Sequence, residues 1–197
     1  MIIFQSSTDP SLLQLIRQGA VGVIPTDTLY GLVARADQPA SVRYLYELKH
    51  REKKPGTTIA ASVAQLAKLG IGQQYLDQVA RWWPGPLSVI LPVPQSLAHV
   101  HQGLGDAPFR VVADSRVAAL LEQTGPLTTS SANHPGGKPA SNLAEAQAYF
   151  GDSVDFYVDG GEIGDRPPST IIKIDQAGDL QLIRQGAVAT DNLKGNN

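Results

Sequence analysis

The chain contains no cysteine, which excludes a disulfide framework, a thiolate zinc site and a cysteine nucleophile. Aromatic residues are scarce at 6%. The two tryptophans, Trp82 and Trp83, extend the helical stripe of Tyr75, Leu76 and Val79, and no basic residues alternate with them. They read as core anchors and not as a base-stacking platform. No apolar run approaches the ~20 residues of a membrane span. Met1 to Pro10 lacks the charged segment and apolar core of a signal peptide, so a cytoplasmic protein is expected. Charge of one sign is also missing in bulk: a net charge of -2 excludes a chain that coats nucleic acid along its whole surface. A local basic groove stays open.

What is present is ordinary globular composition over 197 residues, 42% hydrophobic, with 19 glycines and 14 prolines to make turns. That length is enough for one domain with a real core, expected over 1–190, followed by a flexible tail over 191–197. Asp9-Pro10 before Leu12, Leu13 and Ile16, closed by Gly19, carries the start and stop signals of a helix. Strands are predicted over 20–24, 57–61, 87–93, 109–113, 126–133, 154–158, 170–174 and 180–184. Helical spacing is predicted from Val42 to Leu48, from Ser62 to Leu69, from Tyr75 to Trp83, after Asp114 and from Leu143 to Phe150. Gln95 to Pro108 reads as a long loop with His99 and His101 exposed and no third metal ligand nearby. Eight strands with six helices imply one α/β domain on a twisted mixed sheet with flanking helices.

Against the near-neutral background, four of the sixteen lysines and arginines fall between Lys49 and Lys54, at a helix-to-strand junction. Polar residues gather at predicted strand ends: Thr26, Thr28, Arg110, Ser130, Ser131, Asn133, Ser169 and Arg184. Open α/β sheets place their ligands at such ends. The Thr26-Asp27-Thr28 stretch has an equally good local reading as turn and cap bonds. No Ser/His/Asp arrangement, paired-carboxylate motif or metal-ligand cluster accompanies these groups. Cations and hydroxyls without a strong base suit a reaction whose nucleophile is already ionised and whose transition state gathers negative charge. Phosphoryl or nucleotidyl transfer answers that description.

Six segments then occur in a telling order: Pro25-Thr26-Asp27-Thr28-Leu29-Tyr30-Gly31-Leu32, Glu47-Leu48-Lys49-His50-Arg51, Trp83-Pro84-Gly85-Pro86-Leu87, Phe109-Arg110-Val111, Ser130-Ser131-Ala132-Asn133 and Pro168-Ser169-Thr170-Ile171-Ile172. Together they resemble the YrdC-like threonylcarbamoyl-AMP synthases, and the resemblance covers nearly the whole chain. It implies a YrdC-type fold with a basic concave cleft. It also implies that L-threonine, bicarbonate and ATP are converted to threonylcarbamoyl-AMP and pyrophosphate, for threonylcarbamoyladenosine formation on tRNA. Under the resemblance Lys49 and Arg51 hold the triphosphate and offset charge on the α-phosphoryl group, with Mg2+ on the pyrophosphate. Ser131, Asn133 and Arg184 bind nucleotide, Arg110 pairs with the threonine carboxylate, and Thr28 and Ser169 contact the amino acid. Thr26, Thr129 and Ser130 rank lower.

The chain departs from the family pattern at Glu52, Ala60, Val112-Ala113 and His134-Pro135-Gly136. Two other readings stay open: a module that binds structured RNA or tRNA, expected to show a wider basic stripe, and a paralogue acting on another carbamoyl or nucleotide substrate. The other proteins of threonylcarbamoyl transfer are further partners that the resemblance implies, and no membrane is.

Overall fold

The Asp9 carboxylate accepts the backbone N–H groups of Ser11 and Leu12, and Pro10 occupies the first turn, so α1 (Pro10–Arg17) begins where the sequence places it. Leu12, Leu13 and Ile16 form its buried face. The computed structural model describes residues 1–164, 166–174, 179–189 and Leu193. The end of the expected domain at 190 and the expected tail, Leu193 apart, lie outside the described residues. Leu193 itself packs into a hydrophobic cluster with Trp83, Leu87 and Phe109 among its members.

The described residues form ten strands and seven α-helices, against the eight and six predicted. The strands are β1 (Ile2–Phe4), β2 (Gly22–Pro25), β3 (Tyr30–Arg35), β4 (Thr57–Ala60), β5 (Leu87–Pro92), β6 (Asp106–Val111), β7 (Leu127–Ser131), β8 (Phe156–Val158), β9 (Thr170–Ile174) and β10 (Leu180–Arg184). They join in one sheet of order β1-β8-β2-β3-β7-β4-β6-β5-β9-β10. Pairing is mixed: β4 runs parallel to β6 and β5 to β9, whereas β3 is antiparallel to both β2 and β7. The two strands absent from the prediction are β1, too short to show a period, and β3. β3 is the return arm of a hairpin whose turn, 26–29, closes between Pro25 and Tyr30, so Thr26 and Thr28 stand in a turn between two strands.

The remaining helices are α2 (Pro39–Leu48), α3 (Val63–Leu69), α4 (Gln73–Val79), α5 (Ala98–His101), α6 (Ser115–Thr124) and α7 (Leu143–Phe150). Alternation along β3 sends Leu32 and Val33 to opposite clusters. Leu32 packs with residues of α2 and α7 such as Leu45 and Phe150, and Val33 with residues of α1 and α6 such as Ile16 and Leu120. The sheet is therefore covered on both faces. Trp83 is buried and its indole N–H donates to Leu87 O at 2.8 Å, as a core anchor should. No helix among the described residues is long and apolar enough to cross a membrane.

Residues 95–108 do not form the expected loop. The one-turn helix α5 buries His101, whose Nδ1 accepts the N–H groups of Gly103 and Gly105 at 3.0 Å each. His99 is half-buried against Ala36 O at 2.8 Å. Both rings hold backbone that would otherwise lack partners, which corrects the expectation that they face solvent.

Candidate active site

The basic segment leaves α2 at Lys49 and reaches β4 through two non-glycine residues at positive φ, His50 (44°) and Lys53 (50°). Such backbone is costly and persists where surrounding contacts determine it. Here the determinant is Lys49. Its Nζ donates to Ser131 O at 2.7 Å, to Asn133 O, and to Asn133 Oδ1 at 3.3 Å. Lys49 is only 5% exposed, where a lysine in a basic run would be expected partly exposed, and its three ammonium donors are satisfied by the turn at the end of β7. Burial, and then the charge of Arg51, lowers its pKa to about 8.

Asn133 passes the restraint on. Its Oδ1 also accepts Ser131 Oγ at 2.6 Å, and its Nδ2 donates to His134 O and Gly137 O at 2.8 and 2.9 Å. His134, one of the departures from the family pattern, lies edge-on to Tyr149 and Phe150 of α7, with centroids at 5.3 and 5.6 Å, and so pins the loop to that helix. Arg51 is half-buried and donates through Nη1 to Ser130 Oγ at 2.8 Å. Burial holds its pKa below the ordinary value.

Two cavities meet at Arg51, Ser130 and Ser131. The larger, about 1370 Å³, takes in Lys49 and Asn133. The smaller, about 390 Å³, is lined by Thr28, Arg110, Ser169 and Arg184 along with the shared residues. All eight predicted site residues therefore border one or the other, with Lys49 and Asn133 outside the smaller cavity. Strand register explains part of the gathering: Thr57 stands opposite Thr129 across β4 and β7, Ile59 stands opposite Arg110, and Ser88, Ile171 and Arg184 stand in line across β5, β9 and β10.

Arg110 is 3% exposed and donates through Nη2 to Asp27 Oδ1 at 2.7 Å and through Nη1 to Ser88 Oγ at 3.4 Å. Ser88 Oγ lies 3.0 Å from Ser169 Oγ, which accepts Arg184 Nη2 at 3.1 Å. Burial, then the positive charges of Arg110 and Arg51, lowers the pKa of Arg184. Thr26 Oγ1 is spent on its own turn, donating to Leu29 O at 2.6 Å. Sequence reasoning missed Asp27 as an ion-pair partner and Ser88 altogether; a lone serine inside the apolar run of β5 was the available signal. Among the described residues no group of three His, Asp or Glu side chains is placed to hold a metal.

Gly31 stands where a side chain would fill this floor. A Cβ there would meet Thr129 Oγ1 at 2.5 Å. Gly31→Ala is expected to cost about 1–3 kcal/mol, the usual range for an overpacked interior. Urea denaturation of the variant measures it.

The profile of the Sua5_yciO_yrdC family, described as "Telomere recombination", matches residues 14–186. The chain is 34% identical over 183 residues to the threonylcarbamoyl-AMP synthase of Marinobacter nauticus, covering 85% of this chain and 95% of that one. Its fold superposes on a Pyrococcus abyssi (P. abyssi) Sua5 variant with a TM-score of 0.86 at 26% identity, over 98% of this chain and 62% of the Sua5 chain. On Escherichia coli YciO the TM-score is 0.78 at 20% identity, covering 96% of each chain, a likeness of fold. With a profile match across most of its length and the same twisted mixed sheet, the chain belongs to the Sua5–YciO–YrdC family.

Proposed function

We infer that this chain is an L-threonylcarbamoyladenylate synthase, a nucleotidyltransferase that makes threonylcarbamoyl-AMP and pyrophosphate from L-threonine, bicarbonate and ATP. Relatives of that name match it over nearly their full length. The observation that carries the reading is the lining of the smaller cavity: Arg51, Arg110, Lys138, Arg166 and Arg184 border it with threonine and serine hydroxyls, and among the described residues no carboxylate does. Such a site stabilises anions and supplies no strong base.

The chemistry needs none. The threonine amine adds to bicarbonate with loss of water to give a carbamate, whose oxygen attacks the α-phosphorus as the bond to pyrophosphate breaks. Arg51, in the wall common to both cavities, meets the charge that develops on the α-phosphoryl oxygens. Lys49 adds a fixed positive charge behind the Ser131–Asn133 turn, which receives nucleotide. Arg184 lies beside the nucleotide, Arg110 faces the threonine carboxylate, and Thr28 and Ser169 offer hydroxyls to the amino acid. Mg2+, where the reaction uses it, would be carried by ATP and would offset charge on the leaving pyrophosphate. The product serves threonylcarbamoyl transfer to tRNA in the cytoplasm, with the proteins of that transfer as partners.

Pyrophosphate release is expected only when threonine and bicarbonate are both present, with the adenylate detected by mass spectrometry and serine as the comparison amino acid. Release that is unchanged when either is omitted refutes the assignment.

A further inference from the structure

Asp27 has no part in the reaction above. Yet among the described residues it is the one carboxylate in ion-pair contact with any of the three guanidiniums Arg51, Arg110 and Arg184. It sits in the β2–β3 turn with its side chain 7% exposed, behind the cavity wall and not in it. Its pairing with Arg110 is incomplete: Asp27 Oδ2 and Arg110 Nε are both buried without a hydrogen-bond partner among the described residues. An ion pair serving stability alone gains most when bidentate, and each buried polar atom left over costs stability. What the single contact does achieve is geometric. From Asp27 a hydrogen-bonded row runs through Arg110, Ser88 and Ser169 to Arg184, so one carboxylate fixes the near end of a chain that ties two cavity guanidiniums together.

We propose that Asp27 is a positioning residue and the charge counterweight of the cavity. It holds Arg110 in the row and cancels part of the positive field without touching ligand. This rests on reading the cavity as the site of an anionic nucleotide and its pyrophosphate product. The guanidiniums of Arg51, Arg110 and Arg184 around so small a space bind a polyanion tightly, and a site that must release pyrophosphate on every turnover gains from a buried negative charge that moderates them. The position also explains why the carboxylate lies behind Arg110 and outside the lining. In the lining it would repel the phosphates directly.

The test is calorimetric titration of inorganic pyrophosphate into four proteins: wild type, Asp27→Asn, Arg110→Gln and the double variant. One uncompensated charge near a bound polyanion shifts affinity by roughly tenfold. Asp27→Asn is therefore expected to bind pyrophosphate about tenfold tighter, Arg110→Gln about tenfold weaker, and the double variant within about twofold of wild type. In turnover, Asp27→Asn should lower kcat without raising KM for ATP, because product leaves more slowly. Equal or weaker pyrophosphate binding by Asp27→Asn overturns the proposal. If that variant does not fold, the double variant decides, since it loses both buried charges together: affinity as low as that of Arg110→Gln overturns the proposal, and recovery supports it. Failure of the synthase reading shows separately, as no adenylate from wild type, whatever the order of the pyrophosphate affinities.

Discussion

Arg51→Ala is expected to lower kcat/KM for ATP by about 10³-fold, the size of effect that follows loss of one preorganised donor or cation from a phosphoryl-transfer site. The argument starts from what Arg51 is bonded to. Its side chain meets Ser130 Oγ at 2.8 Å and no carboxylate among the described residues, so most of its donors are not committed to the fold. Together with Ser130 and Ser131 it lines both cavities, and it is the cation of the three. Its depressed pKa, due first to burial, says that the charged form is kept in a poorly solvated place. A charge held at that cost interacts strongly with an incoming phosphate. Removing it relieves the desolvation penalty and leaves one hydroxyl unpaired, so the melting temperature should move by only a few degrees. Arg51→Lys should recover part of the loss, because the charge returns without the planar fork. Initial rates of adenylate formation with ATP varied, beside a thermal melt of each variant, separate the two quantities. A variant that melts like wild type and turns over like wild type would remove Arg51 from the chemistry.

Much of this site was visible in the chain because it is written locally. Hydroxyls and arginines at the ends of apolar runs mark Thr28, Arg110, Ser131, Ser169 and Arg184, and all of them border the smaller cavity. The hidden part depends on register and distant partners. Asp27 and Arg110 are 83 residues apart, and Lys49 is 82 from Ser131. No local pattern distinguishes an aspartate that closes a hairpin turn from one that also neutralises a buried guanidinium on another strand. The same limit applies to Lys49: a lysine in a basic run looks solvated until β7 is placed beside it. The missing β3 has another cause. Tyr30 follows the turn directly and its hydroxyl donates to Gly161 O at 2.8 Å, so a residue counted with the polar motif is in fact a strand residue holding a loop beside the cavity.

Lys49 yields the second large effect, because its chemistry and its structural work depend on pH in opposite senses. In the folded chain its pKa is lowered to about 8 from the ordinary 10.5, by burial first and Arg51 second. Between those values the unfolded chain binds more protons than the folded one, so this group's contribution to stability rises with pH across the window. Its service to a triphosphate runs the other way, since the neutral amine offers no charge. Above about pH 8, kcat/KM for ATP is expected to fall by about tenfold per pH unit, and ATP binding should take up a proton there as the phosphates draw the pKa back upward. Lys49→Arg carries a guanidinium that does not deprotonate in this range, so its profile should lose that falling limb whatever its absolute rate. Lys49→Met removes the donors of the carbonyls of Ser131 and Asn133 and should cost roughly 2 kcal/mol or more, with no rise in stability from pH 8 to 10 attributable to this position. Urea denaturation at the two pH values, set beside pH–rate profiles of wild type and Lys49→Arg, checks both signs. A falling limb that persists in Lys49→Arg would assign it to another group and leave Lys49 as a strut alone.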